Sequence, residues 1–197
     1  MSEAQQRPYS RPVFERVLWL RTETAQRVME REFTRVENAL YSLEVIFRII
    51  GNPEAVDVIE STVNQRLIDC MQHLDQEQAR FSKLMDDHGI GEVPTYTQAS
   101  EFRVQVASPQ IAQYLLLVQK LDELMASLDA LWLFGVMTNQ QRADGAYQWQ
   151  QTVLHMGRQI AELQRRGTRT VAREQDAGIN MDASKVIERL AAEGGSI

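Results

Sequence analysis

The sequence is short of the residues that lock or anchor a chain. A single cysteine, Cys70, stands among 197 residues, so no disulfide can close within the chain. No run of about 18 uncharged apolar residues occurs, which excludes a membrane-spanning helix of ordinary length. The opening stretch, Met1 to Pro12, is polar and lacks the apolar centre of a secretion signal. These absences lead to the expectation of a cytoplasmic protein.

Catalytic motifs are missing as well. None of His73, His88 and His155 has a glutamate three residues before it, so the Glu-x-x-His pattern of a di-iron bundle is absent. Cys70 and His73 share one helix turn, but no second Cys/His pair completes a zinc site. Cys70 reads as a core thiol and His73 as a residue on a solvated edge. There is no Gly-x-Ser-x-Gly elbow, and Gly89 and Gly91 lead into no phosphate-binding Gly-Lys-Ser/Thr. No enzyme, metal or cofactor is expected.

Lysine is scarce too, with three against eighteen arginines. A GC-rich genome produces that bias, and arginine's planar fork also suits phosphate and guanine. The net charge is −6, and residues 51–100 alone carry nine acids and three bases. The balance reverses near the C-terminal end, where Arg158, Arg165, Arg166, Arg169 and Arg173 face only Glu162.

What is present is helical periodicity. Apolar or small residues recur at Phe14, Leu18, Ala25, Val28, Met29, Phe33, Val36, Leu40, Leu43, Phe47 and Ile50, which predicts one helix from Val13 to Ile50. Gly51 ends it, and Asn52-Pro53 starts a second helix that reaches about His88, where Gly89 offers a left-handed cap. Its stripe is Val56, Ile59, Val63, Leu67, Cys70/Met71, Leu74, Phe81 and Leu84. So short a join predicts a long antiparallel hairpin over 13–88. A flexible N-terminus over 1–12 precedes it, and a linker over 89–100 follows.

Next, Phe102, Val104 and Val106 alternate with Glu101, Arg103 and Gln105, the pattern of a half-buried strand. A lone strand needs a partner, which is either a weaker local segment or the same strand of a second copy. Ser108 caps a third helix with Pro109 at its first position, running to about Phe134 before Gly135. Thr138 and Gln141 form a capping box for a fourth helix to about Arg166, with an early interruption at Asp144-Gly145. Residues 101–166 thus make a strand–helix–helix unit. Residues 167–197 read as a tail with a short helix from Ala183 to Ala192. No segment repeats another in sequence. Trp132, Phe134, Tyr147 and Trp149 flank the third turn and are expected to pack two helix ends together.

The strand FRVQV, the helix ASPQIAQYLLLVQKLDELMASL, the break LFGVMT and the helix WQQTVLHMGRQIAEL together resemble the AcaB-like regulators and their relatives on integrating conjugative elements. The resemblance covers Glu101 to Leu163, about a third of the chain. It implies a mostly α protein with a ribbon–helix–helix-type unit: a homodimeric transcriptional regulator that puts a two-stranded ribbon into the major groove of double-stranded DNA. On that analogy Arg103 and Gln105 read bases, with Glu101 beside them. Ser108 opens a helix N-terminus toward a phosphate, and Arg158, Arg165, Arg166 and Arg169 hold the backbone. The alternative is a helical scaffold of a conjugative element that docks a protein partner through its acidic hairpin.

Overall fold

A computed structural model describes the backbone of residues 12–50 and 53–177 and the side chains of 12–43 and 59–169. The order of elements is β1 (Phe14–Leu20), α1 (Glu23–Ile50), α2 (Pro53–Asp87), β2 (Ser100–Val106), α3 (Pro109–Leu133) and α4 (Asn139–Ala177). The protein is mostly helical, with one two-stranded antiparallel sheet. The expected N-terminus over 1–12 falls, apart from residue 12, outside the described residues. So do the Gly51-Asn52 join and the short helix from Ala183 to Ala192.

The strand β2 finds its partner within the chain. It pairs with β1 in the register Phe14↔Val106, Val17↔Arg103 and Leu20↔Ser100. The expectation of a helix from Val13 is therefore corrected, because Phe14 to Leu20 are extended and α1 begins only at Glu23. The helical stripe reading used Phe14 and Leu18 but left Val17, Trp19 and Leu20 unplaced. Extended, the segment puts Leu18 and Leu20 into the core together, a period of two. Thr22 then caps α1, its hydroxyl accepting from Ala25 N at 3.4 Å. Burying Leu20 fully in this way requires β2, which is 80 residues away, to satisfy the backbone of β1.

The ends of α2 and α3 and the start of α4 lie where the sequence placed their caps. After α2, Gly89 takes φ 68° and Ile90 N donates back to Met85 O at 2.8 Å, with Ile90 buried beneath. After α3, Gly135 takes φ 75° and Val136 N reaches Leu131 O at 2.9 Å. The capping box of α4 closes both ways, with Gln141 N to Thr138 Oγ1 at 3.2 Å and Thr138 N to Gln141 Oε1 at 2.9 Å. The expected interruption at Asp144-Gly145 is absent. Gly145 stays helical with its bare Cα against Leu128, and the expected end near Arg166 is corrected too, since α4 runs on to Ala177 through the first part of the expected tail.

Side-chain contacts give the directions of the helices. Lys120 pairs with Asp75 and Gln78 with Ser127, so α2 and α3 run parallel. Arg142 pairs with Asp129 while Gly157 lies against Tyr114, so α4 runs antiparallel to α3. Gly157 also abuts Val36, and Gly167 abuts Leu43, so α1 and α4 run parallel. It follows that α1 and α2 are antiparallel, and their described residues make few contacts with each other. The dominant helix packing is α1 on α4 and α2 on α3. The hairpin arms face a common core rather than each other, and α3, buried on most of its circumference, lies at its centre. The segment 89–100 is held as well: Tyr96 Oη donates to Asp129 at 2.8 Å, and Gln26 Nε2 donates to Gln98 O at 3.0 Å.

The order β–α–α thus occurs twice, and each position of β1 has its counterpart 86 residues on, from Phe14 to Ser100 through Leu20 to Val106. The caps follow the same offset, Thr22 to Ser108, and each hydroxyl accepts from the amide three residues ahead. Two strand–helix–helix halves pair their strands and exchange their helix partners across an approximate two-fold.

Candidate functional site

Residues directly opposite in an antiparallel pair share a face. On the inner face Leu18, Leu20 and Val104 are buried, with Phe102 and Val106 partly covered. The outer face carries Glu15 opposite Gln105, Val17 opposite Arg103 and Trp19 opposite Glu101. All six are exposed, Trp19 to 59%. Arg103 leans along its strand to Glu101, with Nε 2.6 Å from Oε1, and its side chain is otherwise 82% exposed. The three strand residues singled out from the sequence therefore stand together, facing solvent. Their neighbours Glu15, Val17 and Trp19 are not legible as strand residues in the sequence, because the four-residue spacing of Phe14 and Leu18 predicts a helix there. Ser108 serves the fold: its Oγ accepts from Ile111 N at 3.3 Å and caps α3.

No family model matches the chain, and no curated protein is significantly similar to it. A solved structure does match: the crystal structure of selenomethionine-containing AcaB from uropathogenic E. coli. It is 37% identical, with a TM-score of 0.83, over 91% of this chain and 98% of that one. The chain belongs to the AcaB family. The likeness thus extends over both strand–helix–helix halves, far beyond the Glu101–Leu163 stretch first singled out.

The arginines of α4 occupy a second place in this AcaB-family fold. Arg158 and Arg165, two turns apart on one face, line a groove whose other wall is α1, with Arg35, Asn38 and Ser42. No ribbon residue is among its described lining. Arg165 and Arg166 both hold Glu162, at 2.7 and 3.1 Å. The hydrogen bond from Arg166, with the charges of Arg165, Arg166 and Arg169, keeps that carboxyl below its ordinary range. Arg169 is exposed one turn beyond Arg165. Arg35, absent from the sequence reading, holds both oxygens of Glu32 at 3.2 Å.

Trp132, Arg142 and Asp129 serve packing. Trp132 stacks under Arg142, 4.5 Å from ring centre to guanidinium, and Arg142 reaches Asp129, so these groups join the ends of α3 and α4. Cys70 is buried and its thiol is pushed up to about 11 by desolvation, while His73 is exposed. Among the described residues no cluster of three His, Cys, Asp or Glu is placed to hold a metal, and no helix is long and apolar enough to cross a membrane.

Proposed function

We propose that this protein is a DNA-binding transcriptional regulator of a conjugative mobile element, acting in the cytoplasm without catalysing a reaction. Its β1–β2 ribbon enters the major groove, in the manner of a ribbon–helix–helix protein. The observation that carries the reading is the outer face of the ribbon, where Arg103 and Gln105 face solvent while Leu18, Leu20 and Val104 on the other face anchor the strands on the helical core. The major groove admits a two-stranded ribbon. Arginine matches guanine, glutamine matches adenine, and Val17 and Trp19 offer apolar contact to thymine methyls. The doubled strand–helix–helix order supports the same reading, because one chain supplies what a dimer of single units would supply.

The sequence-based expectation of a ribbon formed between two copies changes accordingly, since a second copy is not needed to complete it. A further consequence follows from the side chains. The outward triplet of β1 is Glu15, Val17 and Trp19, and that of β2 is Glu101, Arg103 and Gln105. A ribbon with different strands reads different bases on its two sides, so a single ribbon is expected to select a non-palindromic core.

The test mixes purified protein with sheared host DNA and sequences the retained fragments. The wild type is expected to enrich a short asymmetric sequence. Arg103→Ala is expected to weaken discrimination at one base pair by about 1–3 kcal/mol, with little change in salt dependence. Absence of any enrichment at moderate salt would sink the DNA reading. It would favour the alternative, a scaffold that docks a protein partner through its acidic hairpin, where residues 51–100 carry nine acids and three bases.

A further inference from the structure

The groove between α1 and α4 lies apart from the ribbon, and its chemistry is that of a receptor. Its walls carry three guanidinium groups: Arg35 on α1 faces Arg158 and Arg165 on α4. Among the described residues Arg158 bonds neutral acceptors, Leu154 O and Gln151 Oε1, each at 3.3 Å. Ala39 and Ala161 keep the floor low, which leaves a space of about 480 Å³. That falls within the roughly 300–1,000 Å³ usual for small-molecule sites.

We propose that this groove binds a small phosphate ester rich in hydroxyl groups, its phosphate held by Arg35, Arg158 and Arg165. Arg35 and Arg165 share their guanidiniums with Glu32 and Glu162 of their own helices, so a bound phosphate joins these pairs, and a dianion suits the shared site better than a monoanion because each fork can take two oxygens. The space exceeds what an inorganic ion fills, so the ligand extends beyond its phosphate. The described lining has no aromatic side chain on which a nucleobase would stack, whereas Asn38 and Gln164 offer amide donors and acceptors matched to hydroxyls. The α1 wall belongs to the first strand–helix–helix half and the α4 wall to the second. A bound ester bridges the halves, and its binding must therefore stabilise the folded chain.

The experiment uses the whole protein at low ionic strength, with ribose 5-phosphate as probe and inorganic phosphate and ribose as comparisons. Calorimetry is expected to show saturable binding of ribose 5-phosphate, weaker binding of inorganic phosphate and none of ribose. The unfolding temperature should rise with ester concentration. An Arg158→Gln/Arg165→Gln variant, whose changes are solvent-facing, is checked for wild-type circular dichroism. It should bind the ester at least about tenfold more weakly. Arg169→Gln, outside the described lining, and Arg103→Ala/Gln105→Ala, on the ribbon, should bind as the wild type does. Absence of saturable binding, or undiminished binding by the double groove variant, overturns the proposal. It is also overturned if the double groove variant loses DNA affinity while no ester binds, which would make the groove a contact for the DNA backbone. The ribbon variants keep this outcome separate from failure of the DNA reading itself.

Discussion

At the scale of single residues, the tightest constraint is a hydrogen atom in place of a side chain. A Cβ at Gly157 would lie 3.0 Å from Val36 Cγ2 and 3.2 Å from Tyr114 Oη. Val36 is β-branched and 1% exposed and Tyr114 is wholly buried, so close packing leaves neither room to step back. Alanine gains about 1 kcal/mol of helix propensity over glycine. Overpacking costs about 1–3 kcal/mol, and with two unyielding neighbours we expect it to win. Gly157→Ala should lower stability by about 1 kcal/mol, read from the urea midpoint at unchanged slope. Cys70 makes a second case. Burial pushes its thiol up to about 11 and closes it off from solvent, so a thiol reagent at pH 8 should leave the native protein unlabelled and label it fully in denaturant. Rapid labelling of the native state would contradict the core position of Cys70.

At the scale of elements, the junction of β1 with α1 depends on one buried carboxylate from α3. Asp122 Oδ1 accepts from Arg21 N at 3.0 Å and Thr22 N at 2.7 Å, and Oδ2 accepts from Arg21 Nε at 2.9 Å. These bonds fix the point where the chain turns from extended to helical. Asp122→Ala would leave two backbone donors unsatisfied near the core, at a cost of about 2–4 kcal/mol. Asp122→Asn keeps an acceptor and should cost less. Amide hydrogen exchange gives a specific check, since protection should fall first in β1 and the opening turn of α1. Uniform loss across the bundle would mean that Asp122 supports the core generally rather than this junction. The ribbon's two faces should also separate cleanly. Leu20→Ala, at a site of zero exposure, is expected to cost about 2–5 kcal/mol. Trp19→Ala, next to it but outward, should leave stability nearly unchanged.

At the scale of the whole molecule, the two halves are interdependent. Each helix packs chiefly against a helix of the other half, and the single sheet is made from one strand of each. Neither half can bury its stripes alone. Two fragments divided within 91–95, an exposed part of the connection apart from half-buried Pro94, should therefore be poorly helical separately and regain cooperative unfolding when mixed. Two fragments that fold independently would show that each half carries its own core.

Much of the helical framework was legible in the sequence because its signals are local. The caps Gly89, Gly135, Ser108 and Thr138–Gln141 lie within a few residues of what they terminate. The stripes Ile111 to Leu131 and Val153 to Leu163 repeat within two turns. The alternation of Phe102, Val104 and Val106 likewise marked β2 and put Glu101, Arg103 and Gln105 on its outer side. The partner of that strand was not legible. The segment Phe14 to Leu20 is a strand only because Ser100 to Val106 lies beside it, and a window of a few residues holds no trace of a neighbour so far along the chain. The doubling of the fold escaped for a related reason, since the two halves share strand order and cap positions while their side chains differ. The groove of Arg35, Arg158 and Arg165 was half visible, as arginines clustered near the C-terminal end. Its other wall came from the packing of α1 on α4. By itself the sequence determined where helices start, stop and turn apolar, because those are short-range demands of backbone hydrogen bonds and burial. Only the tertiary structure decided which strand pairs with which and which charges meet, because those depend on distances that folding alone brings down.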